Sequence, residues 1–265
     1  MRTIVFQGGI GNQLFQYLFL KYAERTWNGA YRWMYDGHSH NGMIIQRYFE
    51  VALPRHASIE IGKIYQLNNR ILRKIGWKLL IGNDTTINLK YKPFLSGYWQ
   101  DKKYFQVGLL SFKKLNLSEK NQKLLDDIQS EGTVALHVRR GDYLLPQFAP
   151  MYAGVCTLDY YQQAIEICND RIKSPHYYVF SDDIEWVRQN LPLKGAVYVD
   201  WNHGEDSIYD MYLMSHAQVN VIANSSFSYW AARLNTRNQL VIYPVKWYNP
   251  PFKAPDIFLD NWIGI

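Results

Sequence analysis

Thiols are scarce: Cys156 and Cys168 are the only two in 265 residues. Their spacing matches no zinc-ligand pattern and gives no disulfide framework, so a reducing compartment is the expected setting. Long apolar runs are missing as well, and no stretch approaches the ~20 residues needed to span a bilayer. No Gly-Lys-Ser/Thr triplet is present, which excludes a Walker-type phosphate loop. Neither His-Glu-x-x-His nor a Ser–His–Asp order occurs. Repeats, low-complexity tracts and long linkers are absent, and 48% hydrophobic against 20% charged residues excludes disorder. Met1-Arg2 leads straight into Thr3-Ile4-Val5-Phe6 without a secretory leader. The chain is therefore expected to be cytoplasmic, with incidental sequons at Asn83, Asn116 and Asn224.

Aromatic residues and positive charge are abundant. The 21 Tyr, 12 Phe and 9 Trp first of all fill cores, and such rings also face sugars. A formal charge of +6 favours a polyanionic partner or an anionic surface. The excess reads as spread along the chain. Its densest stretch holds Lys63, Arg70, Arg73, Lys74, Lys78, Lys90 and Lys92 against Glu60 and Asp84. A helix through 70–78 sets Ile71, Leu72, Ile75 and Leu79 on one side and leaves a basic face. That face suits solvent or anionic lipid headgroups equally.

Periodicity gives an α/β order. A strand at 3–6 is followed by Gln7-Gly8-Gly9-Ile10-Gly11-Asn12-Gln13, then a helix to about Trp27 and a strand at 31–35. Helical patterns follow at 59–68, 70–80, 102–109 and 118–131, with a strand beginning at Phe94. The second half is more regular. Strands at 134–137, 177–180, 196–199, 219–223 and 240–244 alternate with helices at 158–171, 184–190, 207–215 and 228–234. Such alternation indicates a parallel sheet wound on both faces, with ligands at the carboxyl ends of the strands. The change in regularity puts a domain boundary between 131 and 132.

Three polar clusters fall at those strand ends. His137-Val138-Arg139-Arg140-Gly141-Asp142-Tyr143 holds two adjacent arginines whose side chains diverge on an extended chain. One can grip a phosphate or diphosphate bidentately while the other braces the loop; a structural Arg–Asp pair is the bland alternative. Ser181-Asp182-Asp183 suits a helix cap together with a base-edge acceptor, or else a divalent cation. Asn224-Ser225-Ser226-Phe227-Ser228 is the third cluster. His137 is nominable as a general base or as a packed structural residue. The turn with Gly9 and Gly11 has Leu14 where a dinucleotide fingerprint needs its third glycine, so nicotinamide binding is disfavoured.

These residues, taken together, resemble a known family. His137–Tyr143 is similar to the H-x-R-R-x-D motif of the α-1,2-, α-1,6- and protein O-fucosyltransferase superfamily. Gly8-Gly9-Ile10-Gly11-Asn12-Gln13-Leu14-Phe15-Gln16-Tyr17 resembles the amino-terminal signature of its α-1,2 branch, glycosyltransferase family 11. Gly97-Tyr98-Trp99-Gln100, Phe180-Ser181-Asp182-Asp183, Asp210-Met211-Tyr212-Leu213-Met214-Ser215 and Ile222-Ala223-Asn224-Ser225-Ser226-Phe227 follow in family order. Residues 36–91 match poorly, and acceptor choice is expected there.

The resemblance implies a GT-B-like fold, two Rossmann-like domains with parallel sheets facing across a cleft. Residues 1–131 would form the acceptor side and 132–265 would bind GDP-fucose. It implies inverting transfer of L-fucose from GDP-β-L-fucose to a galactose 2-hydroxyl, with no metal and no other cofactor. Arg139 would hold the β-phosphate, with Arg140 in support. Asp182, Asp183 and His137 would place guanine, and Ser225, Ser226, Phe227 and Ser228 would line the diphosphate pocket. Asn12, with Gly9 and Gly11, would approach from the other domain. Inversion calls for a base, for which Asp142 and His137 are both nominable; Asp142 as an arginine's orienter and the leaving phosphate as proton acceptor are the alternatives. The implied partners are GDP-fucose and a galactose-terminated oligosaccharide or lipid-linked glycan, without nucleic acid. Peripheral contact with the inner face of an anionic membrane is a further expectation. The alternatives are another nucleotide-sugar transferase on this scaffold and a non-catalytic carbohydrate-binding module.

Overall fold

A computed structural model describes every residue except 38–40, 73–79 and 238. The chain divides into two compact units, Met1–Lys113 and Lys114–Ile265.

The first unit runs β1 (Arg2–Phe6), α1 (Ile10–Thr26), β2 (Tyr31–Tyr35), α2 (Ile45–Tyr48), β3 (Arg55–His56), α3 (Ile59–Leu67), β4 (Ile81–Gly82) and β5 (Phe94–Ser96). Its sheet has the order β3-β2-β1-β5-β4, with every pairing parallel. Leu14, Phe15, Leu18, Phe19 and Leu20 of α1 are all buried, so this helix is apolar nearly all round, as a core helix should be. Phe19 stacks on Trp99 at 3.7 Å and meets Tyr104 edge-on at 5.0 Å, which accounts for part of the aromatic excess. The helix expected over 102–109 is instead two 3₁₀ turns, Lys102–Tyr104 and Val107–Leu109. Tyr104 and Phe105 both pack on α1, against Phe19 and Phe15, and consecutive positions of a regular helix do not share a face in that way. The basic helix expected through 70–78 lies outside the described residues from 73 to 79. A π-helical turn, Asn68–Leu72, precedes that gap.

The second unit runs α4 (Glu119–Ile128), β6 (Thr133–Val138), α5 (Ala149–Tyr152), α6 (Leu158–Arg171), β7 (His176–Ser181), α7 (Ile184–Asn190), β8 (Val197–Val199), α8 (Ser207–Met214), β9 (Val219–Val221), α9 (Ser226–Leu234), β10 (Leu240–Tyr243) and β11 (Ile263–Gly264). The strand order is β11-β10-β9-β6-β7-β8, again wholly parallel. Strands therefore build outward from β6 through β7 to β8, then restart on its other side at β9. Tyr161, Ala164 and Cys168 of α6 and Val187 of α7 pack with Val134, Leu136 and Val138 on one face. The alternate residue His137 looks the other way, toward Phe227 of α9. Helices α4 and α9 both pack against α8.

Two expectations change here. The division falls at Lys113/Lys114 rather than at 131/132, so α4 groups with the second unit. Asn121 of α4 donates to Asn202 at 2.9 Å and accepts from the Trp201 indole at 2.7 Å, tying the helix to the loop before α8. The charge excess is also not spread. Met1–Lys113 carries sixteen Lys and Arg against six Asp and Glu, while Lys114–Ile265 carries thirteen against seventeen. The positive balance resides in the first unit.

Candidate functional site

In a doubly wound sheet the crevice opens where the strand order reverses, beyond the carboxyl ends of the flanking strands. In the second unit that point lies between β6 and β9. Arg139 and Arg140 follow directly on β6. Nη2 of Arg139 donates to Asp142 Oδ1 at 2.7 Å, and Nη1 lies 3.0 Å from Asp182 Oδ2. One guanidinium is thus forked between two carboxylates and lies 5.5 Å from the centre of the Tyr143 ring. Burial opposes its charge, and Asp182 with Asp142 more than offset that, so its pKa is raised. Arg140 turns elsewhere: its Nε donates to Asp183 Oδ2 at 3.0 Å and its guanidinium lies 3.6 Å over the Trp186 ring.

Asp182 also accepts the main-chain N–H of Arg140 at 2.9 Å. Its carboxylate occupies the space that a Cβ on Gly141 would need, which is why glycine follows the two arginines. Parallel pairing sets Val138 beside Ser181, so Arg139 and Asp182 emerge next to each other from β6 and β7. Asp183 caps α7, accepting the Trp186 N–H at 3.4 Å. Both acidic side chains are therefore directed at arginines, and the expected guanine contact of Asp182 competes with two bonds already made. Among the described residues, no three His, Cys, Asp or Glu side chains converge as a metal-ligating group.

The third strand end is knitted to the first through Tyr143, whose hydroxyl donates to the Asn224 carbonyl at 2.9 Å. Asn224 is buried and committed to structure: its Nδ2 donates to Trp247 O at 3.1 Å and its Oδ1 accepts from Cys156 at 3.4 Å. Ser225 Oγ caps α9 by accepting the Phe227 N–H at 3.3 Å. Ser228 is buried, with its hydroxyl turned to the Ser225 and Ala223 carbonyls. Ser226 and Phe227 stay half-buried at the helix start.

His137 is buried, and its Nδ1 makes no hydrogen bond. Desolvation, with the neighbouring Arg139 charge, pushes its pKa down to about 3. A buried imidazole held neutral is a poor proton acceptor near pH 7, which argues against the general-base role considered for it.

Gly9, Gly11 and Asn12 belong to the first unit, at the carboxyl end of β1. Gly8 there has φ +74, a left-handed value, and a Cβ at that position would press on the Asn12 amide. The motif's glutamines hold this turn. Gln13 donates to Gly8 O at 2.9 Å and Gly42 O at 2.8 Å, and accepts the N–H groups of Ile44 and Ile45 at 3.0 and 3.1 Å. Gln16 bonds both main-chain groups of Gln7 and reaches the Gly97 carbonyl at 3.1 Å. Asp84 was not singled out in the sequence. Its carboxylate accepts the N–H groups of Tyr98 and Trp99 at 3.1 and 2.7 Å and shapes the Gly97-Tyr98-Trp99 turn, where Trp99 has φ +57.

Residues 1–265 match glycosyl transferase family 11. The chain belongs to that family. The O-antigen biosynthesis glycosyltransferase WbnK of Escherichia coli is 37% identical over 139 residues, 52% of this chain and 46% of that protein. An alpha-1,2-colitosyltransferase of Escherichia coli is 33% identical over 177 residues, 64% of this chain and 61% of its own length. The chain thus spans less than two thirds of either relative. Galactoside alpha-(1,2)-fucosyltransferase 2 of Hylobates lar is 26% identical over 295 residues, 100% of this chain and 79% of that one. Among solved structures, the NodZ alpha-1,6-fucosyltransferase soaked with GDP-fucose, a Bradyrhizobium protein, aligns with a TM-score of 0.51 at 14% identity, covering 88% of this chain and 92% of that one. At that identity the likeness is one of fold, and the fold is GT-B-like.

Proposed function

We propose that the protein transfers L-fucose from GDP-β-L-fucose to the 2-hydroxyl of a terminal β-galactose, with inversion, on a lipid-linked glycan destined for a bacterial surface polysaccharide. The observation that carries this reading is Arg139, held in a fork between Asp142 and Asp182 at the carboxyl end of β6. Cleaving a glycosyl phosphate gathers negative charge on the departing β-phosphate. A permanent cation and a helix N-terminus aimed at that phosphate stabilise the transition state more than the ground state. The relatives' names support sugar transfer to form an α-1,2 linkage, and the NodZ crystal soaked with GDP-fucose supports a GDP-sugar donor.

In this mechanism the diphosphate displaces Asp142 from one arm of the Arg139 guanidinium, while Asp182 keeps the other. Asp142, released in that exchange, is the base assigned to the acceptor hydroxyl. Asp182 is assigned to positioning Arg139 rather than to guanine. Arg140, anchored by Asp183 and Trp186, braces the loop. Asn12 and the Gly8–Gly11 turn are assigned to substrate binding from the first unit.

Transfer of colitose is a second reading, favoured by the similarity to the colitosyltransferase. Incubation with GDP-fucose, GDP-colitose, GDP-mannose and UDP-galactose, each with lactose, N-acetyllactosamine or Galβ1-3GalNAc, separates the two. GDP release from GDP-fucose alone, with an α-1,2 product by NMR, is expected. Preference for GDP-colitose would establish the second reading, and turnover of neither would remove both.

A further inference from the structure

Helix α3 turns Tyr65 and Ile61 toward the sheet, the Tyr65 ring meeting Phe94 at 5.4 Å. Its opposite side is exposed, and aliphatic side chains share it with Glu60, Lys63 and Gln66. Ile59 is 75% exposed, Leu67 59% and Ile64 46%, although buried aliphatic side chains are the rule in a folded domain. Ile59, Lys63 and Leu67 stand at i, i+4 and i+8, one outward stripe, and the exposed Arg70 follows in the next turn. The same unit carries sixteen basic against six acidic residues.

Exposed aliphatic side chains beside Lys63 and Arg70, with Glu60 the one acid of the helix, in a unit of net positive charge, match one kind of surface. We infer that α3 is a docking face for the headgroup region of an anionic lipid bilayer, with Ile59, Ile64 and Leu67 entering the acyl boundary and Lys63 and Arg70 meeting phosphate. Charge complementarity selects an anionic surface. The aliphatic stripe selects lipid over a nucleic acid, which has phosphates but no apolar receptacle along its backbone. No helix among the described residues is long and apolar enough to cross a membrane. Sugar transfer is not a premise of this inference, and its test needs no turnover.

The test is co-sedimentation of the full chain with vesicles of phosphatidylcholine alone and of phosphatidylcholine mixed with phosphatidylglycerol. Binding to the mixed vesicles, weakened by salt, is expected. The neutral replacement Ile59→Asn with Leu67→Asn and the charge removal Lys63→Gln with Arg70→Gln should each weaken it roughly tenfold. Both variants should keep the wild-type circular dichroism and GDP affinity, because every changed side chain is exposed. Failure of the wild type to bind the mixed vesicles overturns the inference. So does unchanged binding by the aliphatic variant, or duplex DNA competing equally against both proteins, either of which would reduce the face to a general polyanion patch.

Discussion

Arg139 meets two carboxylates before any ligand arrives, and the consequences can be measured one side chain at a time. Arg139→Ala should lower kcat by about two to four orders of magnitude at saturating GDP-fucose. Arg139→Lys should not restore it, because a point charge cannot reproduce a fork. Asp182 and Gly141 act on the same group, one by holding the guanidinium and the other by leaving room for the carboxylate. Asp182→Asn and Gly141→Ala should therefore both lower kcat about tenfold or more while GDP affinity does not weaken, since a guanidinium freed from an anion still attracts phosphate. Equal losses of kcat and GDP affinity would mark Asp182 as a direct nucleotide contact. His137 gives a pH prediction. Its folded pKa of about 3 lies below the unfolded value of about 6.5, so between those limits only the unfolded chain takes up a proton. Stability must fall as pH drops through that window. Between pH 7 and pH 5, urea unfolding of His137→Gln should lose about 2 kcal/mol less than the wild type. Equal losses would show that the folded imidazole titrates freely.

At the scale of elements, helix α1 is held by its glutamines as much as by its apolar side chains. Gln13→Ala leaves the N–H groups of Ile44 and Ile45 without their acceptor and should destabilise the fold by about 2–4 kcal/mol in urea unfolding. A change near zero would mean that water replaces the amide. Elements defined by local signals were legible in the sequence. Strand β2, helix α6 with its Thr157 cap and helix α7 each have the residues that periodicity predicts, because caps and alternation are properties of neighbours along the chain. Elements defined by distant partners were not. The 102–109 segment yields to packing on α1, α4 groups with the second unit through Asn202, and the two-residue edge strand β11 carries no alternation to read. The candidate site divides the same way. The arginines and the strand-end clusters could be read, whereas the pairing of Arg139 with Asp182 depends on the β6–β7 register, which no local pattern contains. Glycine at 141, directly after two arginines, was the one available hint of a close approach.

For the whole molecule, two units of unlike charge, each built on a sheet of parallel strands, make up a GT-B-like chain of glycosyl transferase family 11. The positive excess of the first unit is what the inferred anionic surface would meet, and the proposed function puts the diphosphate at Arg139 of the second unit. Under the proposed function, Arg139 and the N-terminus of α9 would supply the electrostatic stabilisation that a divalent cation gives elsewhere. Both Asp182 and Asp183 are engaged by guanidinium groups. Transfer should accordingly persist in EDTA at its untreated rate. Loss of activity restored by magnesium would contradict that assignment. A crystal structure of the protein with GDP tests the role of the arginine at the end of β6. The β-phosphate should lie about 3 Å from the Arg139 guanidinium, beside the start of α9. Nucleotide bound away from the carboxyl end of β6, with Arg139 still forked between Asp142 and Asp182, would contradict it.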